Sequence, residues 1–175
     1  MTLYQIICGF EGLRLNNAMK QICVLTFNNP DIIKQILTPV YIGKSKEDIT
    51  DDNFFYALWD TGAMVSCITD QVIEKYKLTP TGKTEVLGIN LKTSKETDTY
   101  SIDFMFGNGY GFNDIRVLRV EKQDRFDVII GMDIISKGDF AISNSNGTSF
   151  SFRVPSMGTA NFLNENYDED PDQEK

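Results

Sequence analysis

Hydrophobic and polar positions change their spacing several times along the 175 residues, and each change marks an element. From Pro39 onward the short period of β structure dominates. Val40-Tyr41-Ile42 reads as a strand, residues 43–53 as a charged connection, and Phe54-Phe55-Tyr56-Ala57-Leu58-Trp59 as an apolar run of strand length. Between residues 67 and 78 the apolar positions Ile68, Val72, Ile73 and Tyr76 follow helical spacing, with Thr69 as the cap, which predicts one amphipathic helix. Thr79-Pro80-Thr81-Gly82 ends it. Residues 84–89 and 97–106 form the arms of a hairpin whose polar tip, 90–96, is expected to be exposed and mobile.

A Gly-rich turn at 107–111 leads to a strand over 115–120. Asp127-Val128-Ile129-Ile130 is a short buried strand that breaks at Gly131 and passes into a helical turn over 134–137. Residues 140–143 and 150–154 alternate as half-buried strands around a turn at 144–147. The result is an all-β fold with one or two short helices. Upstream, the apolar stretches 4–10 and 22–27 have strand character without an assignable place, and 32–37 suits a short helix or a strand. Three regions follow: an N-terminal extension (1–37), one folded domain (38–155), and an acidic, disordered tail (156–175).

Composition removes whole classes of chemistry. With no histidine, Ser-His and Cys-His catalysis, His bases and His-containing metal sites are all out of reach. Carboxylate chemistry remains. Cys8, Cys23 and Cys67 are odd in number and widely spaced, which fits neither a disulfide framework nor a zinc site and points to a reducing compartment. No metal or cofactor is expected. Of the formal charge of −8, residues 164–175 carry a net −5 from six acidic residues and one lysine, so the rest holds only −3. That near balance argues against binding nucleic acid through phosphates. No apolar run reaches the length of a membrane span and no signal segment opens the chain, so a soluble cytoplasmic protein is expected.

Asp60-Thr61-Gly62-Ala63, at the end of the apolar run 54–59, sets a carboxylate on a tight loop rising from a packed strand. About seventy residues later comes the apolar-apolar-Gly strand of Ile129-Ile130-Gly131. With the hairpin between them, the two motifs resemble the signature of the retropepsin-like aspartic proteases over residues 39–155. The Gly131-Met132-Asp133-Ile134-Ile135 sequence is similar to the bacterial branch of that family, and the single glycine of Leu87-Gly88-Ile89-Asn90 departs from the glycine-rich flap of the retroviral members.

The resemblance implies a closed retropepsin-like β-barrel and an aspartic endopeptidase with Asp60 as the catalytic residue. Peptide hydrolysis without a metal needs a base for water and an acid for the carbonyl oxygen, a task for two carboxyls sharing one proton. Only one Asp-Thr-Gly is present, so the second carboxyl must come from a two-fold mate, and a homodimer acting on a peptide or protein substrate is implied. Thr61 would brace the loop across the axis, Gly62 would admit the substrate backbone, and Ala63 completes the loop. Gly88 and Ile89 would contact substrate from the flap, while Ile130 would support the loop or line a pocket. Asp133 stands at a helix start, which suits a capping role. The alternative is a catalytically silent retropepsin fold serving dimerisation or peptide binding; a β-rich adaptor without protease ancestry is a more distant reading.

Overall fold

The computed structural model describes residues 22–43, 54–86, 94–107 and 109–158, and the backbone of 14–15 and 18–19. A small antiparallel pair, β1 (Arg14–Leu15) and β2 (Ala18–Met19), precedes the main body. There follow β3 (Cys23–Asn29), β4 (Leu37–Gly43), β5 (Phe54–Trp59), β6 (Cys67–Thr69), helix α1 (Asp70–Tyr76), β7 (Gly82–Val86) and β8 (Lys95–Phe106). The chain then continues through β9 (Gly111–Val120), β10 (Val128–Ile130), helix α2 (Met132–Ile135), β11 (Asp139–Ser143) and β12 (Thr148–Val154).

Six strands close on themselves. The neighbours run β4-β5-β10-β6-β9-β8, and β8 pairs back onto β4 from Val40↔Phe106 to Gly43↔Asp103. Closure removes the free edges that an open sheet would expose. Strict alternation fills the barrel: Tyr100, Ile102, Phe104 and Phe106 of β8 and Val40 and Ile42 of β4 are buried. A seventh strand, β7, joins β8 as a hairpin from Gly82↔Thr99 to Val86↔Lys95. Gly88 and Ile89 of the expected flap, with residues 90–93 of its tip, lie outside the described residues, while residues 95–96, expected in the tip, already belong to β8.

A second sheet, ordered β11-β12-β3, packs against the barrel. The apolar stretch 22–27, which the sequence pattern leaves without a place, supplies most of β3, and its Leu25 and Phe27 are core residues. Phe150 and Phe152 of β12 face inward, each with its ring centroid 4.9 Å from that of Trp59. Full burial of one such side chain is worth about 1.5–3 kcal/mol, so this aromatic cluster is a large local source of stability. The indole of Trp59 also stacks on Phe106 and donates from Nε1 to the hydroxyl of buried Thr38 at 2.9 Å. Trp59 is the last residue of β5, and its immobilisation fixes where the next residue emerges.

Several expectations about helices change. Residues 67–69 form a strand rather than the first turn of a helix, because Cys67 and Ile68 pair with β10 on one side and all three residues pair with β9 on the other. Thr69 precedes α1 but does not cap it: its hydroxyl donates to Asp127 Oδ1 at 3.0 Å and its N–H to the Asp127 carbonyl at 2.9 Å. Helix α2 begins two residues earlier than its sequence pattern suggests. Residues 30–36 adopt neither a helix nor a strand before β4 begins.

Candidate active site

Strand order builds the site. Strand β10 inserts between β5 and β6, parallel to the first with Ile130 opposite Trp59 and antiparallel to the second with Ile129 opposite Cys67. The loop 60–66 therefore crosses over the end of β10. Asp60 N–H donates to the Ile130 carbonyl at 3.0 Å, and Ala63 N–H returns to the Asp60 carbonyl at 3.2 Å. The Asp60 carboxylate is held from within the loop, where Gly62 N–H donates to Oδ1 at 2.8 Å. A Cβ at position 62 would stand 3.2 Å from that oxygen, so glycine lets the N–H approach while keeping the carboxylate in place. Asp60 is half-buried, and Thr61 and Gly62 are exposed at the loop crest.

The far side of the loop is bolted to the start of α2. Met132 N–H donates to the Ala63 carbonyl at 2.8 Å and Asp133 N–H to the Met64 carbonyl at 3.2 Å. Ser66, 1% exposed, accepts from Gly131 N–H at 3.0 Å and donates its hydroxyl to Asp133 Oδ1 at 2.7 Å. Its own N–H donates to Asp133 Oδ2 at 3.0 Å, so both carboxylate oxygens are engaged. Asp133 is thus a brace on the loop and not a helix cap, since α2 has no side-chain cap and its N-cap position is Gly131. Gly131 must be a glycine for reasons of space: a Cβ there would meet Val65 C at 2.8 Å, Ala63 O at 2.9 Å and Ser66 N at 3.0 Å, all main-chain atoms of the loop.

The comparisons agree with this architecture. Residues 49–134, which hold the loop, the hairpin and β10, match the family model for aspartyl proteases. A retropepsin-like aspartic protease from Rickettsia conorii superposes with a TM-score of 0.51 at 13% identity, covering 76% of this chain and 92% of that one. The chain thus has the retropepsin-like fold and carries the aspartyl protease match over 86 of its 175 residues. The protease of EIAV, solved with the inhibitor HBY-793, is also similar, at 23% identity and a TM-score of 0.41 over 59% of this chain and 86% of that one. So is the simian foamy virus protease, at 18% identity and 0.41 over 58% and 92%. No curated protein matches by sequence.

Within this retropepsin-like domain the expected site residues separate into two groups. Asp60, Thr61, Gly62 and Ala63 form one loop resting on the end of β10. Ile130 supports that loop through its carbonyl, but its side chain is 1% exposed and belongs to the barrel core, so it lines no substrate pocket. Strand alternation turns its neighbour Ile129 to the opposite, half-buried face. Ser66 escaped the sequence reading, because a serine six residues after an aspartate carries no signal until α2 folds back onto it.

Two cavities border the domain's working end. One, of ≈ 360 Å³, runs from Asp60 and Thr61 past Trp59 to Phe140 and Ile142 of β11. The other, of ≈ 440 Å³, lies beside the β7–β8 hairpin over Cys67, Val86 and Leu118, with Lys83–Glu96 and Lys95–Glu121 ion pairs at its rim. Burial pushes the Cys67 thiol up to about 11, with the negative charges of Asp133 and then Asp60 adding to it. Cys67 therefore stays protonated at neutral pH and serves as an apolar wall, not a nucleophile. Among the described residues no group of acidic and cysteine side chains is arranged to hold a metal ion, and no helix is long and apolar enough to cross a membrane.

Proposed function

We propose that this protein is an aspartic endopeptidase that works as a C2 homodimer, with one Asp60 from each copy. The observation that supports it most is the construction of the loop: a half-buried Asp60, its carboxylate gripped by Gly62 N–H, beside the exposed Thr61 and Gly62 of the crest. A single carboxylate so placed is half of an acid–base pair. Two of them close together cannot both ionise easily, so one proton is shared. The ionised member takes a proton from water, the protonated member gives its proton to the substrate carbonyl oxygen, and the water oxygen bonds to the carbonyl carbon. Collapse of the resulting diol returns a proton to the amine as the C–N bond breaks.

Supporting roles follow. Thr61, exposed beside Asp60, reaches toward the second copy and steadies the loop, and Gly62 leaves room for an extended peptide. The β7–β8 hairpin covers that peptide, with Gly88 and Ile89 near its tip contributing main-chain contacts. The buried Cys23 and Cys67 suit a reducing, cytoplasmic setting.

Asp60→Asn tests the reading, because the amide keeps the shape and removes the base. Hydrolysis of a peptide library should vanish while fold and dimer persist, and rate per subunit in the wild type should rise with concentration until dimerisation saturates. Adding excess Asp60→Asn chain should poison the wild type through mixed dimers. Hydrolysis that survives unchanged in Asp60→Asn would exclude the mechanism, and wild-type chain with no hydrolysis at saturating concentration would leave a binding module.

A further inference from the structure

The short pair β1–β2 sets a register that runs on toward β3. Arg14 faces Met19 and Leu15 faces Ala18, so each step away from the turn moves one residue back on the first strand and one forward on the second. The two residues between the strands, Asn16-Asn17, are of the type that tight two-residue turns take. Continued in the same register, the second strand leads into β3 and the first leads back through residues 4–10. Phe10 then stands opposite Cys23, Cys8 opposite Leu25, Ile6 opposite Phe27 and Tyr4 opposite Asn29.

The side-chain pattern fits that register. Burial alternates along β3, with Cys23, Leu25 and Phe27 in the core and Val24, Thr26 and Asn28 less buried on the other face. Facing residues of an antiparallel pair share a face, which sends Tyr4, Ile6, Cys8 and Phe10 to the core side and Gln5, Ile7 and Gly9 to the other. All four inward positions are apolar or aromatic. A slip of one residue would turn Gln5 and Gly9 inward instead. Where Ile6 and Tyr4 arrive there is a groove of ≈ 760 Å³, walled by Phe27 and Asn29 of β3, Ile33, Leu37 and Tyr56. Among the described residues none of β11 or β12 lines it, so it lies on the side of β3 away from β12.

We infer that residues 4–10 form a further strand of the β11-β12-β3 sheet, paired antiparallel with β3 in the register of the β1–β2 turn, with Ile6 and Tyr4 seated in the groove. The occupant is the chain's own N-terminal stretch and not a second copy, because the tight turn tethers it beside β3 and a short loop closes at small entropic cost. The seat has a bearing on Asp60. Lys34 and Gln35 line both this groove and the cavity that holds Asp60, and Trp59 N–H donates to the Ile36 carbonyl at 3.0 Å. Ile6 and Tyr4 in the groove therefore back the segment that borders Asp60 on its other side. Residues 4–10 are a strand of the domain and not an appendage to it. The inference does not depend on the activity proposed above.

Cross-linking and unfolding of the full chain test this. Phe10→Cys in a Cys8→Ser background places a thiol opposite Cys23, and directly opposed residues of an antiparallel pair lie within disulfide reach. Mild oxidation should join residues 10 and 23 within one chain, as read by mass spectrometry of tryptic peptides. Gly9→Cys and Glu11→Cys in the same background point to the other face and should link to Cys23 no more than the background chain does. Ile6→Asp sets a carboxylate in the groove and should lower the urea midpoint, whereas Gln5→Asp on the outer face should leave it in place. No link in Phe10→Cys overturns the pairing, and a link to Cys23 from position 9 or 11 in its stead overturns the register. A link that joins two chains overturns the in-chain strand. An Ile6→Asp chain with the wild-type midpoint overturns the seat in the groove.

Discussion

Replacing Gly131 by alanine should loosen the Asp60 loop without touching the Asp60 carboxylate. The backbone at Gly131 (φ −94°, ψ −174°) is open to any residue, so the cost is purely one of space. The added Cβ would stand 2.8 Å from Val65 C, where ordinary contact begins at 3.4 Å, a shortfall of about 0.6 Å against main-chain atoms that cannot rotate away. Overpacking of this kind costs about 1–3 kcal/mol, while the lost freedom of the unfolded chain returns about 0.4–1, leaving a net destabilisation of about 1–2 kcal/mol. The displaced segment carries Asp60 through its bond to Ile130, and a half-ångström error at the reacting group should lower kcat about tenfold. Urea unfolding at fixed protein concentration and peptide hydrolysis read the two effects. Gly82→Ala is the control, since its Cβ would meet only Thr99 Oγ1 at the ordinary distance of 3.4 Å. An unchanged unfolding midpoint with full kcat in Gly131→Ala would refute the claim that the loop is seated on β10.

Ser66→Ala should cost about 1–3 kcal/mol and reduce kcat, because Gly131 N–H loses its acceptor and Asp133 its hydroxyl donor in a buried setting; equilibrium unfolding with kinetics measures both. Asp139 gives a pH signature. Met157 N–H and then the Ser156 hydroxyl, with Arg153 assisting against a burial effect that opposes them, hold its carboxyl down to about 2 from an ordinary 3.8. A depressed carboxylate stabilises the fold at pH values above its ordinary range and loses that contribution as pH falls through about 2. Asp139→Asn should therefore cost about 1 kcal/mol at pH 7, a gap that closes between about pH 4 and 2 in acid unfolding curves; a gap constant with pH would show that charge is not involved. Ala63→Ser supplies a hydroxyl on the loop that can donate to the ionised dyad, so both limbs of the kcat/KM profile should move to lower pH, and a shift to higher pH would contradict that hydrogen bond.

Local pattern was enough to read the barrel. Strands β5, β8 and β12 bury alternate residues, and turn formers such as Asn144 and Gly147 bracket their ends, so each element is written in its own few residues. The Asp60 loop was equally legible, because an acid, a small hydroxyl and a glycine at the end of an apolar strand form a local arrangement that needs no distant partner. Residues 67–69 were misread because β6 exists only through pairing with β9 and β10, while its apolar spacing runs smoothly into α1. Strand β3 had no assignable place because its partner β12 lies more than a hundred residues away. Asp133 looked like a cap until tertiary folding set it against Ser66, and Ile130, read as supporting the loop or lining a pocket, supports the loop through its carbonyl while β10, inserted between β5 and β6, buries its side chain in the core. Sequence thus determined the character of most segments and which carboxylate is the candidate for the proposed chemistry. Tertiary structure decided what braces that carboxylate and which residues border it, since both depend on segments that meet only once the barrel closes.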